Sequence, residues 1–302
     1  MEIKKILWAT DGSKEAEEAL SCAAFLAGKF GSEMAGIYVS EMPVIAVPFY
    51  ADFGGMLYSL VEKEKKENKE RLNSIAEDMS RQGLRFRGEV IEGEANKEII
   101  ECAYRENADL IVMGKRGLGL IDRVLVGSTT SKVLRQSKVP VLAFRRKGQE
   151  DTVDIRDILV PIDIYSDKTD SALRYALELA ARIGARLSVV YVFSMDAVAY
   201  EIPPSLLENL ISQSAGVLGR IVERVKNERE AGMQGDKNLE ITAEVIHGIS
   251  PAISIVEYAS KNNVDLILIN THGRKGVRRL ILGSVTERVI QESPCAVLAI
   301  KP

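Results

Sequence analysis

The chain has 302 residues, a formal net charge of −3 and 46% hydrophobic residues, an ordinary composition for a soluble protein of two domains. The charge argues against general binding to nucleic acid, and no apolar run reaches the roughly 18 residues that a membrane span requires. The three cysteines, Cys22, Cys102 and Cys295, are odd in number and far apart, so they predict core packing in a reducing cytoplasm.

The predicted elements of the first half alternate between strand and helix. Residues 3–10 form a short apolar run that is typical of a buried strand, and residues 13–30 form a helix with Ser13 as its N-cap. Further strands are predicted at residues 33–39, 84–93, 110–113 and 139–144, and further helices at residues 58–81, 97–106 and 128–136. Apolar strands that alternate with helices predict a parallel sheet covered on both faces.

The second half repeats the first. The stretches ADLIVMGKRG and RVLVGSTTSKVLRQS match VDLILINTHG and RLILGSVTERVIQES at one constant offset, and IKKILWATDGS pairs with IRDILVPIDIYS. We therefore predict two tandem modules, module one at residues 1–147 and module two at residues 154–302. Each is expected to be a doubly wound α/β module with a five-stranded parallel sheet.

The glycine-rich stretch MGKRGLGLIDRVLVGSTT has the properties of a phosphate site, although it fits neither the Walker pattern nor the G-x-G-x-x-G pattern. Gly114 leaves the carboxyl end of a predicted strand, and Gly117 admits a close approach of backbone to a ligand. Gly127, Ser128 and Thr129 open a helix, whose free N–H groups favour an anion. A plain loop and helix cap is the alternative, and the second copy with the same spacing favours the phosphate site.

With this G-x-x-G, nine residues, G-[ST] signature, the chain resembles a tandem universal stress protein over nearly its whole length. The resemblance implies binding of ATP, ADP or AMP, with any Mg²⁺ carried by the nucleotide phosphates. It implies nucleoside contacts from Asp11, Val39, Met113 and Gly114, and phosphate contacts from Gly117, Gly127, Ser128 and Thr129. The counterparts in module two are Asp163, Val192, Ile269, Gly273, Gly283, Ser284 and Val285.

Module two departs from this signature at one residue. Asn270 stands where the signature has its first glycine. If this position takes a positive φ, asparagine complies at modest strain. Its side chain crowds the ribose if it points towards the ligand, and the site survives if it points away. DIYS also replaces the DGS that follows the first strand of module one. We therefore expect weaker nucleotide binding in module two.

Other residues carry weaker signals. His272 lies in the predicted phosphate loop, where contact with phosphate and plain solvation both remain open, and His247 has no predicted role. The apolar, aromatic residues 41–60 predict a lid or a partner surface, with core packing as the alternative. The charged residues 62–71 predict a solvated helix face. No H-E-x-x-H or C-x-x-C occurs, so we expect no metal held by protein ligands.

We interpret the chain as a cytoplasmic adenine-nucleotide-binding protein that acts by changing shape or partner, without catalysis. The alternatives are a slow ATPase or adenylating enzyme of similar fold, and a nucleotide-free scaffold. The last strands, VPVLAF and CAVLAI, are expected to pair antiparallel in an internal pseudo-dimer. Whole chains are expected to form a homodimer through residues 41–60, with no nucleic acid or membrane as a partner.

Overall fold

The computed structural model describes residues 2–41, 54–116, 126–147, 152–166, 169–194, 203–232, 239–271 and 282–301. The chain divides into two compact units, Glu2–Phe144 and Arg145–Pro302, which hold modules one and two. Within the described residues, each unit contains five strands and four helices. The predicted α/β architecture is therefore confirmed for both halves of the chain. None of the described helices is long and apolar enough to cross a membrane.

Module one alternates strand and helix from end to end. Its elements are β1 (Lys5–Thr10), α1 (Lys14–Phe30), β2 (Glu33–Ser40), α2 (Gly54–Arg81), β3 (Phe86–Glu92), α3 (Ala95–Arg105), β4 (Leu110–Gly114), α4 (Ser128–Gln136) and β5 (Val141–Phe144). The strand order in this unit is β3-β2-β1-β4-β5, and all four neighbouring pairs are parallel. Such an order is that of a doubly wound sheet.

Module two repeats the same sequence of elements. They are β6 (Asp157–Pro161), α5 (Thr169–Ile183), β7 (Arg186–Ser194), α6 (Pro204–Gly232), β8 (Ile241–Gly248), α7 (Pro251–Lys261), β9 (Leu266–Asn270), α8 (Ser284–Glu292) and β10 (Ala296–Ile300). The strand order in this unit is β10-β9-β6-β7-β8, again with parallel neighbours throughout. The central strands β6 and β9 correspond to β1 and β4.

The first strand and the first helix of module one are joined by a buried tryptophan. Trp8 on β1 is fully buried, and its indole N–H donates to the carbonyl oxygen of Ala16 on α1 at 2.8 Å. Burial of such a side chain contributes on the order of 2–3 kcal/mol, and the hydrogen bond satisfies its polar atom. Helix α1 begins after Ser13, whose hydroxyl caps it as predicted, and ends at Gly31 in the left-handed conformation.

The amino-terminal edges of the two sheets are alike. Asp109 accepts hydrogen bonds from two backbone N–H groups at the start of β1, at 2.7 and 3.0 Å. Asp265 does the same at the start of β6, at 2.9 and 3.0 Å. Asn107 and Asn263 take the same positive φ of 52° just before them. Differences between the modules therefore stand out at the carboxyl edge.

Candidate functional site

The strand order of module one reverses between β1 and β4, because β2 and β3 lie on one side of β1 while β4 and β5 lie on the other. Open α/β sheets bind ligands at this switch point, beyond the carboxyl ends of the strands. Asp11 follows β1 and Gly114 ends β4, and Ala9 pairs with Met113 in the register of these two strands. The structure thus brings the predicted residues Asp11, Met113 and Gly114 to one edge.

The residues that follow β1 form a tight turn. Gly12 has a φ of +81°, a conformation that glycine adopts readily because it has no side chain. The Asp11 carboxylate accepts a hydrogen bond from the N–H of Ser13 at 3.0 Å. The Ser13 hydroxyl in turn accepts from the N–H of Ala16 at 3.2 Å. Asp11 is exposed, and the turn fixes the direction of its carboxylate.

Tyr38 on β2 lies beside this turn, since it pairs with Thr10 in the sheet register. Its hydroxyl donates to the Glu64 carboxylate on α2. Burial raises the pKa of the Tyr38 phenol, and the bond to Glu64 and the negative charges of Glu64 and Asp11 act in the same direction. The phenol is therefore a protonated hydrogen-bond donor at neutral pH.

The last residues of β2 end at the same edge. Val39 lies inside β2, which extends one residue beyond the predicted strand, through Ser40. Ser40 is 1% exposed. Its hydroxyl has no hydrogen-bond partner among the residues that the structure describes. A buried hydroxyl without a partner is costly, so its position at a ligand-binding edge is notable.

Gly114 is required by packing. A Cβ at this position would lie 2.8 Å from the carbonyl oxygen of Arg116 and 3.0 Å from the backbone carbon of Glu15. The condition of a positive φ at this position is not met: among the described non-glycine residues only Asn107 and Asn263 have positive φ, and Gly114 is not among the glycines that do. The absence of a side chain lets the start of α1 approach the end of β4.

The first turn of α4 is fastened to the end of β4. The Thr130 hydroxyl donates to the carbonyl oxygen of Gly114 at 2.9 Å, and the N–H of Gly127 donates to that of Lys115 at 2.9 Å. Gly127 is the N-cap, and no side chain caps the helix. The first N–H groups of an α-helix have no partner within the helix, and the helix dipole adds positive potential there. This arrangement suits an anion beside Ser128, which is exposed.

Comparison with known proteins identifies the family. The model of the universal stress protein family matches the chain twice, at residues 2–145 and at residues 154–301. The chain belongs to the universal stress protein family. A universal stress protein of Mycolicibacterium smegmatis is 24% identical over 298 residues, which cover 98% of this chain and 97% of that protein. Universal stress protein MJ0531 of Methanocaldococcus jannaschii is 32% identical over 148 residues, 49% of this chain and 85% of its own length.

A solved structure of the same family has the same fold. The crystal structure of a universal stress protein from Archaeoglobus fulgidus superposes with a TM-score of 0.69 at 23% sequence identity, covering 99% of this chain and 97% of that one. At this identity the likeness concerns the fold alone. The expectation that the chain is a tandem universal stress protein is thus confirmed.

In module two of this universal stress protein, the contacts at the start of α8 match those at the start of α4. The Thr286 hydroxyl donates to the carbonyl oxygen of Asn270 at 2.7 Å, and the N–H of Gly283 donates to that of Thr271 at 2.9 Å. Gly283 caps α8 without a side chain, and Ser284 is exposed. These contacts reproduce those around α4. Val285, in the first turn of α8, is half-buried, as Thr129 is in α4.

The other side of the crevice differs between the modules. The Asp163 carboxylate accepts from the N–H of Tyr165 at 3.1 Å. The ring of Tyr165, which is 65% exposed, packs edge-to-face against Tyr191 on β7, with ring centroids 6.2 Å apart. Val192 lies inside β7, and Ile269 is the last residue before Asn270 on β9. An aromatic pair therefore occupies the place where module one has hydrogen bonds to α2.

Strand β6 also pairs less far with β9 than β1 does with β4. The β1–β4 register extends to Ala9 and Met113, whereas the β6–β9 register stops at Leu159 and Ile267. Pro161 occupies the position of Ala9. The N–H of Ile162 donates to the carbonyl oxygen of Val190 on β7 at 2.9 Å. Because the N–H groups of successive residues in a strand point to opposite sides, position 161 faces β9, and proline has no N–H to donate there. Proline is unusual in a central strand.

Several further expectations can be placed. The three cysteines are buried, as predicted, and burial raises the pKa of Cys102 to about 12. Within the described part of the chain, no cluster of His, Cys, Asp or Glu has metal-binding geometry. His247 lies within β8. Gly117, His272 and Gly273, with residues 42–53 and 195–202, lie outside the described residues.

Four residues at this edge, Thr130, Thr286, Pro161 and Arg71, carry no site prediction from the sequence. Thr130 and its counterpart Thr286 are visible in the repeat itself, since GSTT and GSVT both end in threonine. Pro161 is also visible in the repeat, within IRDILVPIDIYS, as a proline in a predicted central strand. Arg71, which donates to Gly12 from α2, gave no signal, because it lies in a run of charges that is typical of a solvated face.

Proposed function

We propose that this protein binds an adenine nucleotide, ATP, ADP or AMP, in module one, with the phosphates at the start of α4 and the nucleoside between Asp11 and the end of β2. The observation that carries the proposal is the meeting of the Asp11 turn and the uncapped start of α4 at one switch point. The family resemblance supplies adenine as the base. Mg²⁺, if bound, is carried by the phosphates, since it commonly keeps several waters and few protein ligands.

The polar atoms at this edge fit such a ligand. Asp11 presents a carboxylate oxygen to a ribose hydroxyl, while the Ser13 N–H holds its orientation. The buried hydroxyl of Ser40, which has no partner among the described residues, is available to a heteroatom of the base. The N–H groups at the start of α4 and the Ser128 hydroxyl offer donors to phosphate oxygens.

We infer that the bound nucleotide is a signal and is not turned over. Tyr38 keeps its proton at neutral pH because burial and nearby carboxylates raise its pKa, so it does not serve as a general base. Asp11 engages the Ser13 N–H through one oxygen. We expect ATP hydrolysis at the background rate. A rate that Asp11→Asn abolishes while nucleotide still binds would favour the enzyme alternative.

Replacing Ser128 by proline tests the phosphate site. Ser128 is the first residue of α4, where proline is tolerated, and the extended backbone of Gly127 (φ −63°, ψ 148°) suits a residue before proline. Ser128→Pro removes one N–H donor to phosphate. Such a bond contributes about 1.5–3 kcal/mol, so the affinity for ATP should fall roughly 10- to 100-fold in titration calorimetry.

Three controls make this test specific. Ser128→Ala removes the hydroxyl and keeps the N–H. Adenosine lacks phosphates, so its binding should not change in Ser128→Pro. Ser284→Pro makes the same change in module two and should leave the module-one affinity unchanged.

Mass spectrometry of ligand released by heating identifies what the purified protein carries. Absence of any nucleotide binding in the unmodified protein would favour the scaffold alternative.

For assembly we propose that β5 and β10 pair antiparallel within one chain. Each strand ends the order of its own unit, and both are buried along their whole length, unlike the partly exposed strands β3 and β8 at the opposite ends. A buried edge strand needs partners for its backbone groups.

We further propose a homodimer through residues 41–60, which native mass spectrometry of the intact chain can test.

A further inference from the structure

One guanidinium connects the Asp11 turn to the neighbouring helix in module one. Arg71, on α2, donates from Nη1 to the carbonyl oxygen of Gly12 at 3.3 Å. Its Nη2 donates to Glu17 in the first turn of α1. These two acceptors lie on either side of Ser13, the N-cap of α1. A planar guanidinium can hold two acceptors at a defined separation, which an ammonium cannot do equally well.

Arg71 gives this turn a contact from a neighbouring helix. Gly12 has a φ of +81°, and a glycine loses more conformational freedom on ordering than any other residue. A Cβ on Gly12 would lie 3.1 Å from Arg71 Nη1, so the guanidinium packs directly against this residue. The direction of the Asp11 carboxylate follows from the same turn, because it accepts from the N–H of Ser13.

Two more polar residues on α2 extend this contact. Glu64 accepts the hydroxyl of Tyr38, and the Asn68 amide donates to the carbonyl oxygen of Glu64 at 2.9 Å. Glu64, Asn68 and Arg71 are spaced four and three residues apart, so they share one face of the helix. This face, Glu64–Asn68–Arg71, meets both the end of β2 and the Asp11 turn.

Module two contains the same arginine in a different arrangement. Arg71 and Glu17 are 54 residues apart, and so are Arg224 and Asp170. Arg224 donates to both oxygens of Asp170, at 2.7 and 2.8 Å, and to Glu228 at 3.5 Å. The hydrogen bond from Arg224 lowers the pKa of the Asp170 carboxyl. Its described partners are thus helix side chains.

The residues around the two arginines explain the difference. The position four residues after the arginine is Ile75 in module one and Glu228 in module two, so only Arg224 has this competing carboxylate. The positions of Glu64 and Asn68 are taken in module two by Val217 and Ile221, whose side chains have no polar atom. The polar face of α2 is therefore specific to module one.

We propose that Arg71 is a positioning residue that holds the Asp11 turn of module one in its ligand-binding conformation. It acts through the Gly12 carbonyl and Glu17, and it makes module one the stronger nucleotide site. The effect on affinity rests on the function proposed above. The effect on the turn does not, because the two hydrogen bonds form within the protein itself.

The first test is hydrogen exchange of the full-length protein without nucleotide. Arg71→Met removes the guanidinium and keeps the aliphatic stem. Amides of residues 12–17 should exchange about threefold to tenfold faster, the range that one net hydrogen bond supports. Amides of β4 should not change. Arg224→Met is the matched control and should leave residues 12–17 unaffected. Unchanged exchange in residues 12–17, or an equal rise in β4, would overturn the proposal.

The second test measures nucleotide affinity. Arg71→Met should weaken binding to module one by about threefold to tenfold, whereas Arg71→Lys should recover only part of the loss. Since Arg71 acts through the turn that carries Asp11, its substitution should have a smaller effect in an Asp11→Asn background. The positioning role would be refuted if the two substitutions weakened nucleotide binding additively. Faster hydrogen exchange in residues 12–17 with unchanged nucleotide affinity would refute it as well. Faster exchange in a protein that binds no nucleotide would refute the proposed function and leave the contact of Arg71 with the turn intact.

Discussion

Modules one and two agree on one side of the crevice and differ on the other. The start of α4 and the start of α8 have the same glycine cap and the same threonine bond to the preceding strand. On the strands β1 and β4 and their counterparts β6 and β9, by contrast, Ala9 corresponds to Pro161, and Gly114 corresponds to Asn270. The contacts of the shared arginine differ as well.

This difference separates two parts of the proposed nucleotide site. Backbone donors at a helix start recognise any phosphate, so a duplicated module retains them as long as the helix packs against its strand. Contacts to a sugar and a base depend on individual side chains and on close packing, so they change with single substitutions. We expect module two to keep an anion site and to bind the nucleoside less tightly than module one.

The largest expected effect comes from replacing Gly114 of module one by asparagine, the residue at the corresponding position of module two. In Gly114→Asn, the new Cβ would meet backbone atoms of Arg116 and Glu15 at 2.8 and 3.0 Å, and backbone cannot rotate away. Such overpacking costs about 1–3 kcal/mol. We expect urea denaturation to show this loss and calorimetry to show no nucleotide binding at module one. Gly114→Ala should reproduce most of the cost, and a fully stable Ala variant would contradict this explanation.

The reverse substitution should have a smaller effect. Asn270→Gly removes the side chain that stands at the end of β9, and we expect nucleotide binding to module two to tighten by about 1 kcal/mol, roughly fivefold. Relief of bulk is the reason, since neither position has a positive φ. Calorimetry in a Gly114→Asn background isolates the second site. Two equal sites in the unmodified protein, or no gain on substitution, would show that Asn270 is not the obstacle.

The smallest effect is expected at Pro161. Pro161→Ala supplies an N–H that faces β9, and the β6–β9 ladder should extend towards Leu268. One net hydrogen bond contributes about 0.5–1.5 kcal/mol, whereas losing the restriction of proline costs about 0.4–1 kcal/mol. The stability should therefore change by less than about 1 kcal/mol, while NMR shows a slowly exchanging amide at position 161. Fast exchange there would mean that another feature keeps the strands apart. Ala9→Pro is the matched control and should shorten the β1–β4 ladder.

The sequence by itself determined the architecture and half of the site. Alternating apolar strands and helices repeated at one offset specify two parallel-sheet modules, because local periodicity follows directly from which faces are buried. The carboxyl-edge positions of Asp11 and Gly114 and the glycine before α4 and before α8 follow from the same pattern. These features depend on neighbours in the chain, so a single sequence displays them.

Only the tertiary structure decided why Gly114 is a glycine and what Arg71 does. Besides the neighbouring carbonyl oxygen of Arg116, a Cβ at Gly114 would meet the start of α1, about a hundred positions earlier, and the partner of Arg71 is a carbonyl oxygen on a distant turn. Such contacts join residues that periodicity does not relate, and a backbone acceptor leaves no trace in side-chain identity. The two copies of the arginine look alike in sequence, and only their surroundings in space separate an arginine that holds a turn from one that pairs two helices.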